Sequence, residues 1–208
     1  MKINSVIAAR SSVRSYSADP VEAQAVTCCL EAARLAPSAC NAQPWHFVVV
    51  SDPETRDELA SLSLAPGGVM NRFVAEAPVI VAVVAERPNI SSQIGAALKK
   101  KPFYLIDIGI AAEHFCLQAT ELGLGTCMIG WFAERKVKRL LGIPGSRRPV
   151  LLITLGYPAA APHQTSPAGE SGSASRAPSR ADTPKKRKPL STITSGERYG
   201  RSWPEGGR

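Results

Sequence analysis

The chain has 208 residues, 44% hydrophobic and 20% charged, which suits one domain with a sizeable core, or one domain plus a tail. Its longest apolar run, residues 77–85, is too short to span a bilayer, and the first residues lack the apolar core of a signal peptide, so we expect a cytoplasmic protein without a membrane segment. Its five cysteines are odd in number and have no zinc-type spacing, which argues against a disulfide framework or a structural metal.

The net charge of +8 lies mostly in the last quarter of the chain. Residues 159–208 hold nine Lys or Arg against four Asp or Glu, a net charge of +5, which leaves +3 for the first 158 residues. The body shows no helix-turn-helix, zinc-finger or RNP pattern, so we do not expect nucleic acid as its partner. The basic run at residues 184–189 leaves two alternatives open, a nuclear-import or nucleic-acid tail and an arm that closes over a phosphate.

Hydrophobic periodicity and turn signals predict helices that alternate with strands. The predicted helices cover residues 1–9, residues 19–35 with Asp19 as the N-cap, a segment that begins at Asp52, residues 102–122 and residues 133–141. The predicted strands cover residues 45–50, 77–84, 127–130 and 149–155; the first is expected to be buried and the second to be covered on both faces. Residues 86–101 have the composition of a loop that could cover a substrate, and residues 159–183 that of a Pro/Ala/Ser-rich linker.

Two arginines flank two serines within five residues of the N-terminal segment. Arg10, Ser11, Ser12 and Arg14 can gather two guanidinium groups and hydroxyl donors around one phosphate. Short Arg/Ser clusters are also common on surfaces, so a solvated basic turn is the alternative interpretation of this composition.

A polar turn with Ser38, Asn41 and Gln43 lies between a predicted helix and a predicted strand. Because packed elements hold both of its ends, the turn can present hydroxyl, amide and backbone N–H groups to a ligand at low entropic cost. The alternative is an ordinary connection whose polar side chains satisfy the local backbone.

Taken in order, these motifs resemble the nitroreductase family, the FMN-dependent NAD(P)H oxidoreductases, and in particular its shorter members. The resemblance depends on ARSSVRSY at residues 9–16, APSACNAQPWHFVVV at 36–50, APVIV at 77–81, GLGTCMIG at 123–130, VLLITLGYP at 150–158 and KKRKPL at 185–190. It covers residues 1–158 almost continuously, and then residues 184–193.

The resemblance implies an α+β fold with a mixed sheet flanked by helices, assembled as an intertwined homodimer with two FMN sites at the subunit interface. Together with the composition, it predicts an FMN-binding domain at residues 1–158, a linker at 159–183, and a basic arm and tail at 184–208. The C-terminal extension is expected to be flexible.

The resemblance also implies the cofactor, the electron donor and the site. The implied cofactor-binding residues are Arg10, Ser11, Ser12, Arg14, Pro37, Ser38, Asn41, Ile129, Gly130, Lys185 and Arg187. The first four would hold the phosphate and ribityl end, the next three would come from the partner subunit, the backbone at residues 129–130 would lie near the flavin N5, and the last two would close over the phosphate. Asn71 is a weaker candidate, and Asp107 is interpreted as a helix residue rather than a neighbour of the flavin ring.

The expected activity is hydride transfer from NAD(P)H through flavin N5 to an electron-poor acceptor, such as a nitroaromatic or a quinone, with ping-pong kinetics. No side chain is expected to act as a nucleophile, because the flavin carries the chemistry.

Two features depart from the family pattern. Ser11 stands where members often have a second arginine, and the linker at residues 159–183 lowers the effective concentration of the arm at the phosphate. These departures leave open a second hypothesis, a flavin-binding sensor or scaffold protein without significant turnover. A third hypothesis is an enzyme-like body with a nucleic-acid-binding basic tail.

Overall fold

The computed structural model describes residues 2–64, 70–86, 102–159 and 186–202. The chain divides into two compact units, Met1–Pro162 and His163–Arg208. The elements of the first unit are α1 (Ile3–Ala9), α2 (Ala23–Arg34), β1 (Trp45–Val50), α3 (Pro53–Leu62), β2 (Val79–Ala85), α4 (Phe103–Glu121), β3 (Gly125–Ile129), α5 (Glu134–Leu140) and β4 (Arg148–Gly156), with short 3₁₀ helices at Ala39–Asn41 and Arg72–Glu76. The described part of the second unit holds one short helix, α6 (Leu190–Ile193). The loop predicted at residues 86–101 and the linker predicted at 159–183 lie outside the described ranges, apart from Glu86 and Ala159.

The sheet has four strands in the order β1-β2-β4-β3, and each of its three pairings is antiparallel. Among the described residues, the parallel component of this mixed sheet is an isolated bridge between Ser12 and Thr126. All seven residues of β2 are buried, as expected for a strand with neighbours on both sides and helices on both faces. The sheet therefore matches the predicted α+β class.

Side chains alternate along β2 and divide the core into two layers. Val79, Val81 and Val83 pack against α2 and α4 on one face of the sheet. Ile80 and Ala82 belong to the other layer, which contains buried residues of α3 and α5. The expected flanking of the sheet by helices is therefore confirmed.

The predicted helix at residues 102–122 is confirmed as α4, the longest described helix. It ends where Gly123 adopts a positive φ of 77° and donates its N–H to the carbonyl of Thr120, a conformation that glycine adopts without steric cost. Near its start, the apolar Leu105 is exposed while the charged Asp107 is buried.

Two other predictions were wrong in detail. The second helix begins at Ala23, with Glu22 as its N-cap, because Asp19 instead accepts a hydrogen bond from the Ser17 hydroxyl at 2.8 Å. The strand at residues 45–50 is not buried throughout: β1 lies at an edge of the sheet, and only its last residue, Val50, is fully buried.

The segment between α1 and α2 crosses the ends of β3 and β4. Val13 donates its N–H to the carbonyl of Thr126 at 2.9 Å, and the Tyr16 hydroxyl lies 2.6 Å from Thr154 Oγ1 while bonding the carbonyl of Val13 at 2.9 Å. Burial raises the pKa of this phenol, so Tyr16 remains a neutral hydrogen-bonding group. The backbone of residues 10–16, called the basic segment below, is thereby fixed against the sheet.

Two glycines leave the space for this segment. Gly125 and Gly156 face each other across β3 and β4. A Cβ on Gly125 would lie 2.6 Å from Cγ2 of Val13, and one on Gly156 would lie 2.9 Å from Cδ1 of Tyr16. Any larger residue would push the segment away from the sheet.

Within the described ranges, no helix combines the length and apolar character needed to cross a membrane.

We predict that Gly125→Ala lowers the free energy of unfolding by about 1–3 kcal/mol, because the added methyl overpacks against Val13. Urea denaturation followed by circular dichroism measures this change. Gly145→Ala is the matched control, because nothing lies within 4 Å of a Cβ built at Gly145. The explanation fails if adding Val13→Ala to Gly125→Ala recovers none of the lost stability.

Candidate functional site

Arg10 is held at the junction of α1 and α4. It is the C-cap residue of α1, and its N–H bonds the carbonyl of Val6 at 2.8 Å. Its Nε lies 3.2 Å from Oε1 of Glu113 on α4, and 21% of its side chain is exposed. The ion pair fixes the direction of the guanidinium group and leaves one side of it accessible to a ligand.

Arg14 lies at the far end of the same segment, next to a second element. Its Cζ is 5.9 Å from the centre of the Phe73 ring in the Arg72–Glu76 turn, within the range of a cation–π contact. Its guanidinium group also lies near the Cys127 thiol of β3, whose pKa is raised by burial while the charge of Arg14 and a hydrogen bond with Ser12 oppose that rise. Ser12 and Arg14 are therefore neighbours of the middle of β3.

The chain at the C-terminal end of β3 is exposed and leaves space beside its backbone. Ile129 is buried in the core, Gly130 is exposed, and nothing lies within 4 Å of a Cβ built on Gly130. The side chain of Asn71 donates to the carbonyls of Ser63 at 2.9 Å and Trp131 at 3.4 Å. Asn71, proposed from the sequence as a weak ligand candidate, thus fixes the chain after Gly130 by bonding its backbone.

The turn at residues 36–44 has an unusual backbone. Cys40, Asn41 and Gln43 have φ values of 52°, 50° and 44°, and each such non-glycine residue costs on the order of 1–3 kcal/mol. The turn is held partly from within: Gln43 N–H donates to the Ser38 hydroxyl at 2.9 Å, and Gln43 Nε2 donates to Asn41 Oδ1 at 3.1 Å. The Ser38 hydroxyl thus accepts from a backbone N–H of the turn, as the alternative interpretation of this turn expected. The three positive φ values are what distinguish the turn from an ordinary connection.

Asp107 lies on α4, in agreement with its interpretation as a helix residue. Its burial was not predicted, and neither was its contact with the turn, where its Oδ1 accepts the N–H of Ala39 at 3.2 Å. The available signal was its spacing, because Asp107 lies four and eight residues before Ala111 and Phe115 on the buried face of α4. His114 on the same helix contacts α2, and its Nδ1 lies 3.3 Å from the carbonyl oxygen of Ala32.

The predicted site residues thus fall into separate groups. Arg10, Ser12 and Arg14 lie beside the middle of β3 at Thr126 and Cys127, and Ser11 is half-buried in the same segment. Ile129 and Gly130 follow at the end of this strand. The turn that holds Pro37, Ser38 and Asn41 is attached to α4 through Asp107, six residues and about 9 Å of helix away from Glu113.

The C-terminal arm is only partly described. Arg187 is exposed in the second unit and donates to the carbonyl of Lys186 at 3.2 Å, whereas Lys185 lies outside the described residues.

The chemistry available at the first group is anion binding rather than attack by a side chain. Two guanidinium groups and serine hydroxyls supply charge-assisted donors of the kind that hold phosphates. The nearby thiols are poor nucleophiles, because burial raises the pKa of Cys116 to about 11 and also raises that of Cys127. In the described part of the chain, no three His, Cys, Asp or Glu side chains are arranged to hold a metal ion.

We predict that alkylation at pH 8 labels Cys40 first in the native protein, because Cys40 is exposed. Cys29 and Cys116 should be labelled only on unfolding, since burial raises their pKa to about 12 and about 11 and leaves almost no thiolate. Peptide mass spectrometry with and without denaturant gives the order of labelling. Rapid labelling of Cys116 in the folded protein would contradict the packing of α4 against β3.

Comparisons with known proteins agree on one family. The model of the nitroreductase family matches residues 7–67 and 67–157. A Methanothermobacter thermautotrophicus protein, whose name combines NADH dehydrogenase and NAD(P)H nitroreductase, is 32% identical over 167 residues, covering 78% of this chain and 80% of the relative.

Two solved structures share the fold. A nitroreductase family protein from Clostridium novyi NT superposes with a TM-score of 0.67 at 31% identity, covering 76% of this chain and 86% of that protein. The FMN-dependent nitroreductase of Clostridium difficile R20291 gives a TM-score of 0.60 at 29% identity, covering 73% and 86%. From the family match, these similarities and the shared fold, we conclude that this chain belongs to the nitroreductase family.

Proposed function

We propose that this protein is an FMN-dependent oxidoreductase that moves a hydride from NAD(P)H to an electron-poor acceptor such as a nitroaromatic or a quinone. The observation that carries the proposal is the fixed placement of Arg10, Ser12 and Arg14 along β3, the strand that ends at the open position of Gly130. The names of its relatives support it, because the Clostridium difficile structure is described as FMN-dependent and the Methanothermobacter thermautotrophicus relative is named for NAD(P)H.

The residues present fit FMN. A phosphate dianion needs several charged or polar donors, and Arg10, Ser11, Ser12 and Arg14 supply them from one fixed segment. Buried Thr126 lies beside this segment. The open space at Gly130 allows a flat ring to approach the backbone closely.

Each residue then has a physical task. Bound FMN would supply hydride transfer from NAD(P)H to the acceptor, and ping-pong kinetics would follow if donor and acceptor use one pocket in turn. Arg14 would stabilise negative charge on the pyrimidine edge of the reduced ring. The backbone at Ile129–Gly130 orients the ring, and Phe73 keeps the Arg14 guanidinium group from turning away.

We further propose that the chain works as a homodimer in which Pro37, Ser38 and Asn41 serve the partner's flavin. Large apolar side chains are exposed on helices that border the site: Ile3 and Ile7 on α1, Leu35 after α2 and Ile106 on α4 are each more than half exposed. Burial of these side chains against a second copy of the chain would remove apolar surface from water and so favour a dimer.

The domain organisation proposed from the sequence has three parts. A domain at residues 1–158 carries the site, and a linker at 159–183 connects it to an arm and tail at 184–208.

We predict that the purified protein, reconstituted with FMN, shows flavin absorption bands that bleach with NADPH or NADH under anaerobic conditions and return on adding a nitroaromatic or quinone. Initial rates should give parallel double-reciprocal lines, because the donor leaves before the acceptor binds. A protein that binds FMN but is not reduced by either nucleotide would be a sensor or scaffold instead.

The contribution of the basic segment to FMN affinity can be measured with single substitutions. Arg14→Ala should weaken FMN binding about tenfold to a hundredfold, the equivalent of one lost hydrogen bond to a charged group. Arg56→Ala is the control, because Arg56 lies on α3 and pairs with Asp57. Equal FMN affinity in the two variants would remove Arg14 from the site.

We predict that Ile7→Glu converts the dimer to a monomer, because it places a charge on an apolar contact surface. Sedimentation velocity measures the change. Val49→Glu, at an exposed apolar residue of β1, serves as the comparison and should leave the dimer intact. A wild-type protein that sediments as a monomer would contradict the shared site.

A further inference from the structure

Asp107 is a carboxylic acid buried on α4. It is 5% exposed, its Oδ1 accepts the N–H of Ala39 at 3.2 Å, and its Oδ2 is buried without a hydrogen-bond partner among the described residues. Removing a carboxylate from water costs free energy unless its oxygens are hydrogen-bonded. Asp107 is thus an unfavourable choice for the stability of α4 alone, on a face that otherwise carries residues such as Ala111 and Phe115.

The turn to which Asp107 bonds has an unfavourable backbone as well. Cys40, Asn41 and Gln43 all lie in the left-handed region, and such conformations persist only where surrounding contacts enforce them. The bonds of Ser38 with the N–H groups of Asn41 and Gln43 lie inside the turn, so they move with it. The bond from Ala39 to Asp107 instead attaches the turn to α4, a helix of 19 residues packed in the core.

We infer that Asp107 is a positioning residue: by accepting the N–H of Ala39, it fixes the strained turn at residues 38–43 and thereby presents Ser38 and Asn41 to a flavin. The first half of this inference concerns the protein without cofactor. The second half rests on the proposed function. In this role Asp107 acts through the turn.

Three variants separate positioning from general stability. Asp107→Leu removes the acceptor and keeps a side chain of similar size, whereas Asp107→Asn keeps an acceptor oxygen for Ala39. Ile108→Ala is the control, because Ile108 is the neighbouring buried residue of α4 and belongs to the core between α4 and the sheet. The Ile108→Ala substitution should lower the stability of the protein while leaving the hydrogen bond between Asp107 and Ala39 in place.

Hydrogen exchange of the cofactor-free protein tests the first half. In Asp107→Leu, amide exchange in a peptide spanning residues 36–44 should be about tenfold faster than in the wild type. Loss of the bond from Ala39 makes local opening of the turn easier by the free energy of one hydrogen bond. Asp107→Asn should retain most of the protection. Ile108→Ala should lower the melting temperature while exchange in this peptide stays near that of the wild type. Equal exchange in Asp107→Leu and Ile108→Ala would overturn the inference.

FMN affinity, measured by quenching of flavin fluorescence, tests the second half. Asp107→Leu should bind FMN about tenfold more weakly than the wild type, and Asp107→Asn should restore most of that loss. A loosened turn with unchanged FMN affinity would overturn the presentation of Ser38 and Asn41 to the flavin. A wild-type protein that binds no FMN would overturn the proposed function, and the exchange experiment would still decide the first half.

Discussion

The close contact between the basic segment and the paired strands β3 and β4 is the constraint on which the site depends. Gly125 and Gly156 face each other in register, and the absence of side chains there lets Val13 and Tyr16 lie against the sheet. The hydrogen bonds of Val13 and Tyr16 then fix the backbone between Arg10 and Arg14. Two flexible cationic side chains are thus anchored at their base by a rigid sheet, which lowers the entropy lost when an anion binds.

The long helix α4 connects this group with the rest of the site. It packs against β2 in the core, and along its length it bonds Ala39 through Asp107, Ala32 through His114 and Arg10 through Glu113. Because these contacts lie on one rigid element, the basic segment, the end of α2 and the strained turn keep a common geometry. A change that tilts α4 would move all three together.

Much of the fold follows from local chemistry, and the sequence predicts it. The continuous apolar run of β2, the Asp52 N-cap of α3, which accepts the N–H of Thr55 at 2.9 Å, and the Gly123 end of α4 are all encoded by neighbouring residues. Long-range relations were not accessible in the same way. The edge position of β1 depends on the order of strands in space, which neighbouring residues do not determine.

The candidate site likewise has features that the sequence predicts and features that only the structure shows. The types of residue in the basic segment predicted anion binding, and the structure adds the neighbours Glu113 and Phe73 that orient each guanidinium group. The left-handed backbone at Cys40 and Gln43 arises from tertiary packing, so no local pattern predicts it. The burial of Asp107, by contrast, is indicated by its spacing from Ala111 and Phe115 on α4.

The bridge between Ser12 and Thr126 has a consequence for solubility. β3 is the outermost strand on its side of the sheet, and an outermost strand offers unpaired backbone groups to which a second chain can add. By bonding Thr126, the basic segment covers part of that edge. A substitution that detaches this segment would therefore expose a template for intermolecular strand pairing, and aggregation would accompany the loss of ligand binding.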